Sequence, residues 1–153
     1  MSAVKRILVD ADACPVKEII VREAKARAIP VWMVCDTSHE LSDGYSTVAV
    51  VDKARDSADL YLANRMQPGD LVVSQDYGVA AMALGRGCLA LNQNGRPYTA
   101  ENIDQLLLER YLGQKARRAG KRSTPVKKRT TADDEAFCAA LCRMLEGGGE
   151  KSR

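Results

Sequence analysis

Residues 4–12, VKRILVDAD, and residues 70–76, DLVVSQD, are the two stretches that decide the fold of this chain. Each is a short apolar run that ends on aspartate, with Asp10 and Asp12 after the first run and Asp76 after the second. Continuous apolar runs of this kind are typical of strands buried on both faces of a parallel sheet. Ligands of open α/β sheets bind at the carboxyl ends of the strands, so acids at those ends predict a divalent-metal site.

Segments with strand and helix character alternate along the rest of the chain. Strands are predicted over residues 4–9, 31–35, 47–51, 70–74 and 88–91. Apolar spacing predicts helices over residues 15–27, 57–66, 79–84 and 99–118, and a last helix that opens with a capping box at Thr131 and Asp134. This alternation predicts a three-layer α/β fold with a mostly parallel central sheet and helices on both faces. In the helix after Thr99, the residues predicted to face the core are Ile103, Leu106, Leu107, Tyr111 and Leu112.

The length and composition bound the class of protein. A chain of 153 residues that is 46% hydrophobic suits one domain with a real core. The predicted division is an α/β domain over residues 1–118, a basic linker over 119–131, a C-terminal helix over 132–146 and a disordered tail over 147–153. No apolar run approaches the roughly 18 residues that span a bilayer, and the N-terminus lacks the pattern of a signal peptide.

The cysteines predict a reduced, cytoplasmic protein. There are five of them, an odd number, and none is in a CxxC pair. Cys138 and Cys142 are four residues apart on one face of the last helix. Metal binding there would need further ligands, so the pair is interpreted as packing.

The basic residues are concentrated in one segment. Eight of the 23 lie in residues 115–129, which contain no acid, and that leaves 15 basic against 20 acidic residues in the rest of the chain. A basic segment on an acidic body favours a polyanionic partner, because each phosphate that is neutralised releases counterions. The eight are Lys115, Arg117, Arg118, Lys121, Arg122, Lys127, Lys128 and Arg129.

Further carboxylates are predicted to approach the ends of the two deciding strands. Asp59 lies early in the helix that leads into the second strand, and Asp56 lies three residues before it. Converging carboxylates raise each other's pKa, and a bound Mg²⁺ or Mn²⁺ removes that repulsion. Each acid also has a purely structural interpretation as a helix cap, most readily Asp12, Asp56 and Asp76.

Four motifs carry a resemblance to a known family: VDADACPVK at residues 9–17, RDSADLYLANRMQPGDLVVSQDYGVAAMAL at 55–84, NQNGRPYTAENI at 92–103 and TTADDEAF at 130–137. They resemble the YaiI/YqxD family of small bacterial proteins, which in turn resembles the PIN-like and NYN-like metal-dependent ribonucleases. Those nucleases often form dimers, so the resemblance also allows a homodimer.

The resemblance implies a catalytic and metal-binding role for three acids, which follow the first strand, stand on a middle helix and follow the fourth strand. By position these are Asp10, Asp59 and Asp76, with Asp12 and Asp56 as auxiliary acids. One departure is Gly78, which stands where NYN-type proteins often carry a second aspartate after the fourth strand.

Other side chains near the acids are candidate contacts to single-stranded RNA. Ser74 is expected to donate a hydrogen bond to a phosphate oxygen, and Lys17 and Arg96 are expected to contact phosphate. Tyr77 and Tyr98 are candidates for stacking on bases. The remaining predicted nucleic-acid contacts come from the basic segment: Arg117, Arg118, Lys121, Arg122, Lys127, Lys128 and Arg129.

Two alternatives remain open from the sequence. The run from Asp10 to Asp12 also fits a haloacid-dehalogenase-like phosphatase, in which Asp10 is a covalent nucleophile. Cys14 stands where that class usually has Thr or Val. The other alternative is a non-catalytic RNA-binding protein.

Overall fold

A five-stranded parallel sheet forms the centre of the fold. The structure is a computed structural model that describes residues 4–12, 14–36, 43–52, 57–120 and 128–147. The strands are β1 Ile7–Asp10, β2 Val31–Asp36, β3 Thr47–Val51, β4 Leu71–Val73 and β5 Leu89–Leu91, in the spatial order β3-β2-β1-β4-β5. All neighbouring strands are parallel, so their carboxyl ends lie at one edge of the sheet.

Helices cover both faces of this sheet. They are α1 Lys17–Ala26, α2 Ala58–Arg65, α3 Tyr77–Gly85, α4 Ala100–Arg118 and α5 Thr131–Leu145. Helices α1 and α5 share one apolar cluster with the sheet, and α2, α3 and α4 share another. Successive residues of β1 alternate between them, with Ile7 and Val9 in the first cluster and Leu8 in the second. The predicted three-layer α/β fold is confirmed.

Helix α4 buries a different face from the one predicted. Ile103 and Leu106 are buried, but Tyr111 and Leu112 are each 52% exposed. At 3.6 residues per turn, these two lie roughly 110° to 150° around the helix from the buried pair. The prediction that Tyr111 and Leu112 face the core is wrong, because the apolar residues of α4 are spread over more than one face and α3 covers only one of them.

Helix α5 begins one residue earlier than predicted. Thr130 is its N-cap, and its hydroxyl accepts the Asp133 N–H at 3.3 Å while the Asp133 carboxylate accepts the Thr130 N–H at 2.9 Å. The capping box is thus Thr130 with Asp133, and not Thr131 with Asp134. Asp134 is left to pair with Arg129 at 2.7 Å.

The apolar face of α5 belongs to the same core as the sheet. Phe137 and Leu141 have no exposed surface and lie in the cluster formed with α1 and β1. Residues 121–127 of the predicted linker and residues 148–153 of the predicted tail lie outside the described residues. None of the described helices is long and apolar enough to cross a membrane.

Candidate active site

The carboxyl edge of β1 and β4 carries the aspartate cluster. Val9 of β1 is paired with Val73 of β4, so Asp10 and Ser74, the next residues of the two strands, are level at the edge. The Ser74 hydroxyl donates to Asp10 Oδ2 at 3.0 Å. Strand pairing thus joins two polar groups that are 64 residues apart in the sequence.

Ser74 is a buried link between two of the acids. Its hydroxyl donates to Asp10 and accepts the backbone N–H of Asp76 at 2.9 Å, and the residue is only 3% exposed. A hydroxyl has a single proton to donate. In this structure the proton of Ser74 is donated to Asp10, so it is not available for the predicted hydrogen bond to a phosphate. Ser74 instead holds Asp10 and the start of α3 in position.

Asp76 caps α3 and also contributes its charge to the cluster. Its Oδ1 accepts two backbone N–H groups in the first turn of α3, at 2.8 and 3.3 Å. The Arg110 guanidinium lies 3.8 Å from the same oxygen, and the Asp76 side chain is 37% exposed. The capping interpretation of Asp76 is thus confirmed, and its partly exposed carboxylate still faces Arg110.

The carboxylates at this edge are close enough for their charges to raise one another's pKa. Asp59 lies in the first turn of α2. Burial raises the pKa of Asp59, and the charge of Asp76 raises it further. Burial is also the largest cause that raises the pKa of Asp10 to about 6; the hydrogen bond from Ser74 opposes it, and the charges of Asp59, Asp76 and Asp12 add to it. The four carboxylates share one electrostatic environment.

Asp12 is tied to strand β2. Its Oδ2 accepts the backbone N–H of Asp36, the last residue of β2, at 3.1 Å. The N-cap of α1 is Val16, which makes no side-chain capping bond. The interpretation of Asp12 as the cap of the first helix is therefore wrong, and its carboxylate closes the end of a strand instead. Asp56 lies outside the described residues, and its auxiliary role stays a prediction.

The acids at the carboxyl edge, Asp10, Asp59 and Asp76, do not form a closed set of metal ligands. In the described part of the chain, one group of three acidic or thiol ligands has all its donor atoms within 4.8 Å of one another, and it lies on α1 and α5. Asp10, Asp59 and Asp76 are more widely spaced than that. Mg²⁺ usually keeps several waters and binds through one or two carboxylates, so this spacing suits an ion held partly through water.

A crevice of about 330 Å³ opens beside Asp76, between the start of α3 and helix α4. Arg110 and Arg117 are seven residues apart and so lie on one face of α4, with Gly113 between them. Arg110 was not among the predicted contacts, because the basic run begins at Lys115. The sequence signal that could have found it is the helical spacing of Arg110, Gly113 and Arg117, which places all three on one face of α4. The lining residues are Gln75, Tyr77, Glu109, Arg110, Gly113 and Arg117.

Two of the cations predicted to bind phosphate already make contacts within the protein. Lys17 Nζ donates to two backbone carbonyls of the β1–α1 loop, at 2.9 and 3.4 Å. Arg129 pairs with Asp134 and also donates to the Asn94 side chain and the Gln93 carbonyl, both at 2.9 Å. Arg129 therefore holds α5 against the loop that follows β5.

The other predicted phosphate contacts are either exposed or undescribed. The exposed ones are Arg96, Arg117, Arg118 and Lys128. Those outside the described residues are Lys121, Arg122 and Lys127. A second groove, of about 480 Å³, extends the crevice past Gln114 and Arg117 to Arg118. The exposed cations of α4 thus continue from the acid cluster along one helix.

The two tyrosines have different environments. Tyr98 is 4% exposed, and its hydroxyl donates to the Ser74 carbonyl at 3.1 Å and accepts from Asn92 at 2.8 Å. The prediction that Tyr98 stacks on bases is wrong, because the ring is enclosed. Tyr77 makes an edge-to-face contact with it at 6.0 Å between ring centroids, and Tyr77 itself lines the crevice. Only Tyr77 remains a candidate for stacking.

An open all-parallel α/β sheet with carboxylates at its carboxyl edge defines the class of this protein, and known proteins match nearly the whole chain. The family described as "Uncharacterized BCR, YaiI/YqxD family" matches residues 8–147. A UPF0178 protein of Ruminiclostridium cellulolyticum is 60% identical over 148 residues, which cover 97% of each chain. One from Alkaliphilus oremlandii is 50% identical over 141 residues, 92% of this chain and 91% of its own. The chain belongs to the YaiI/YqxD family. No solved structure matches it significantly.

Proposed function

We propose that this protein is a metal-dependent ribonuclease that hydrolyses phosphodiester bonds of single-stranded RNA in the cytoplasm. The observation that carries the proposal is that the charges of Asp10, Asp59 and Asp76 act on one another at the carboxyl edge, where Arg110, a lining residue of the neighbouring crevice, lies 3.8 Å from Asp76. Carboxylates provide a site for a cation, and arginines beside them neutralise phosphates. The likeness of the family motifs to PIN-like ribonucleases supports the same reaction.

The donor set suits Mg²⁺ or Mn²⁺, because hard divalent ions prefer carboxylate oxygen. Asp10, Asp59 and Asp76 would hold the ion. The pKa of about 6 at Asp10 reflects burial and surrounding negative charge, which a cation would relieve. When bound, such an ion lowers the pKa of a coordinated water and offsets the charge of the phosphate.

The side chains of the protein have separate tasks in this proposal. Ser74 keeps Asp10 oriented, since its proton is committed to that carboxylate. Arg110 and Arg117 bind phosphates of the RNA and exclude other orientations, and Tyr77 stacks on a base. Below about pH 6 Asp10 takes up a proton, so the apparent affinity for the ion should fall by up to about tenfold per pH unit there.

Asp76→Asn tests the proposal without removing the helix cap, since Asn caps helices as well as Asp does. The purified variant and wild type are incubated with single- and double-stranded RNA and DNA, with Mg²⁺, with Mn²⁺ and with a chelator. We expect cleavage of single-stranded RNA by the wild type only when a metal ion is present, and a rate lower by at least about 100-fold in the variant, since losing an outer-shell partner alone costs about 10- to 100-fold.

Glu135→Gln is the matched control, because Glu135 is an exposed acid of α5, on the other face of the sheet, and should leave the rate unchanged. No cleavage of any substrate by the wild type with either ion would refute the ribonuclease. Turnover of a small phosphomonoester and an acid-stable phosphoaspartate at Asp10 would point to the phosphatase instead. Salt-sensitive RNA binding that survives loss of Asp10, Asp59 and Asp76, with no cleavage, would point to a binding protein.

We also propose that two copies of the chain pair through α4. Leu108, Tyr111 and Leu112 are exposed by 55%, 52% and 52% and lie on one side of the helix. That side faces away from Arg110 and Arg117, so pairing leaves the crevice open. On this side the early part of α4 carries Glu101 and Asp104 and its last turn carries Lys115 and Arg118, so an antiparallel pair brings opposite charges together.

Leu112→Glu is expected to convert the dimer to a monomer, because it buries a charge in the apolar contact. The measurement is molar mass by light scattering after size exclusion. Leu60→Glu is the control, since Leu60 is an exposed leucine of α2 (49%) away from this surface. A wild type that is monomeric at high concentration contradicts the proposal.

A further inference from the structure

A second cluster of ligand-type side chains lies away from the carboxyl edge, between α1 and α5. Glu23 of α1 faces Cys138 and Cys142, which are four residues apart on one face of α5. The Cys138 sulfur lies 3.7 Å from Glu23 Oε2, and the Cys142 sulfur lies 3.4 Å from Glu23 Oε1. Within the described residues, this is the group whose three donor atoms all lie within 4.8 Å of one another.

These separations are close to those of donors that share one tetrahedral ion. A zinc ion lies about 2.3 Å from a thiolate sulfur and about 2.1 Å from a carboxylate oxygen, which separates the two donors by about 3.6 Å. The observed distances, 3.4 Å from the Cys142 sulfur to Oε1 and 3.7 Å from the Cys138 sulfur to Oε2, run to the two different oxygens of Glu23, and each is close to that value. All three donor atoms lie within 4.8 Å of one another, which is near the spacing that a shared ion requires.

Neighbouring arginines hold the carboxylate in place. The hydrogen bond from Arg27 is the largest cause that lowers the pKa of Glu23 to about 2, with Arg22 adding to it, so Glu23 is ionised at all ordinary pH values. Arg27 is itself anchored by Glu146 at 2.5 Å. Outer partners that orient a ligand in this way are typical of metal sites.

The Cys142 thiol is protonated at neutral pH in the absence of a metal ion. Burial, together with Glu23 and Cys138, raises the pKa of Cys142 to about 11, so at neutral pH the sulfur keeps its proton. A metal ion that accepts two thiolates replaces these protons and releases them to solvent. Arg22, which donates to Cys138 at 3.4 Å, is 64% exposed and can remain beside the resulting negative charge.

We propose that Glu23, Cys138 and Cys142 form a zinc site that fastens α5 to α1, with a fourth position open to water. Thiolates select borderline-soft ions over Mg²⁺, so this site is chemically distinct from the aspartate cluster. Its consequence is structural, because α5 contributes Phe137 and Leu141 to the core and binding would stabilise that docked state. The inference does not depend on the ribonuclease proposal.

The test is a titration of the full-length protein, reduced and stripped of metal, with Co²⁺ as a spectroscopic probe and Zn²⁺ as competitor. We expect one equivalent of Co²⁺ to give sulfur-to-cobalt charge-transfer absorption that Zn²⁺ removes, and Zn²⁺ to raise the melting temperature. Cys142→Ser should weaken binding by more than about 100-fold, and Glu23→Gln by about 10-fold or more, judged against the cost of losing outer-shell partners.

Two matched variants separate this site from the rest of the molecule. Cys88→Ser removes a buried thiol in the other apolar cluster and should leave the absorption unchanged. Asp10→Asn should also leave it unchanged, because the aspartate cluster at the carboxyl edge is not involved. Absence of the charge-transfer absorption, or its persistence in Cys142→Ser, would overturn the proposal and leave plain thiol–carboxylate hydrogen bonds between α1 and α5.

Discussion

Asp10→Asn is expected to make the protein more stable at neutral pH while it abolishes metal-dependent hydrolysis. The wild-type carboxylate is ionised in a site that is buried and surrounded by other carboxylates, which is why its pKa is about 6 instead of the ordinary 3.8. Asn has nearly the same shape and can still accept the hydrogen bond from Ser74. It therefore removes the unfavourable charge and keeps the contact.

The sign of the pH dependence follows from the raised pKa. Between about pH 3.8 and 6 the folded protein binds more protons at Asp10 than the unfolded chain does, so wild-type stability falls as the pH rises through this range. Above it, the full penalty of the charge is present. Allowing for the partial exposure of Asp10, we expect Asp10→Asn to gain about 1 to 2 kcal/mol near pH 7. Below about pH 4 the two proteins should be equally stable.

Thermal unfolding of both proteins at neutral and acidic pH, with and without Mg²⁺, checks this prediction. A gain of 1 kcal/mol corresponds to about 2 to 4 °C in a protein of this size. Added Mg²⁺ should raise the melting temperature of the wild type and not that of the variant, since a ligand stabilises only the state that binds it. A variant that is less stable at pH 7 would mean that the ionised Asp10 lies in a favourable environment and that its pKa is not raised.

The double variant Arg110→Gln, Arg117→Gln is expected to weaken RNA binding by at least about tenfold, because hydrogen bonds to charged groups contribute about 1.5 to 3 kcal/mol each. It should also flatten the salt dependence, since each lost phosphate contact on a single strand reduces the slope of log affinity against log salt by about 0.7. Fluorescence anisotropy with a labelled single-stranded RNA, measured over a range of salt concentrations in the presence of a chelator, gives both quantities.

Lys25→Gln with Arg143→Gln is the matched control for that experiment. It removes two exposed positive charges from α1 and α5, away from the crevice, and so changes the net charge equally. The control should retain the wild-type slope. Equal losses in the two double variants would show that RNA responds to overall charge and that the crevice of Arg110 and Arg117 is not the binding surface.

The position of the aspartate cluster could be predicted because it depends on local signals. Apolar runs mark β1 and β4, and in a parallel sheet their ends must lie at one edge, which brings Asp10 and Asp76 near each other. Asp59 follows from the same logic, since the helix that carries it leads into β4. These signals do not predict the distances between the carboxylate oxygens of the three aspartates, because those distances depend on how the helices pack against the sheet.

The hydrogen-bond partners of Arg129 and Ser74 could not be predicted, because they lie in segments that are distant in the sequence. Arg129 stands in a basic run, and nothing nearby indicates that Asn94 and Gln93 would satisfy its guanidinium. Ser74 is likewise an ordinary small residue until pairing places it against Asp10. Such roles follow from tertiary placement, which no spacing along one element encodes.

The loop after β5 owes its position to Gly95. Its φ is +88°, and an added Cβ would lie 2.6 Å from the Ala136 carbonyl oxygen, so only glycine allows the loop backbone to lie directly on α5. Arg129, which directly precedes the N-cap of α5, donates to the Gln93 carbonyl of the same loop. The loop that carries Arg96 is consequently held rigidly, because its backbone packs directly against the backbone of α5. Because the loop backbone is fixed, a phosphate bound by Arg96 would lie at a constant distance from the aspartates at the carboxyl edge.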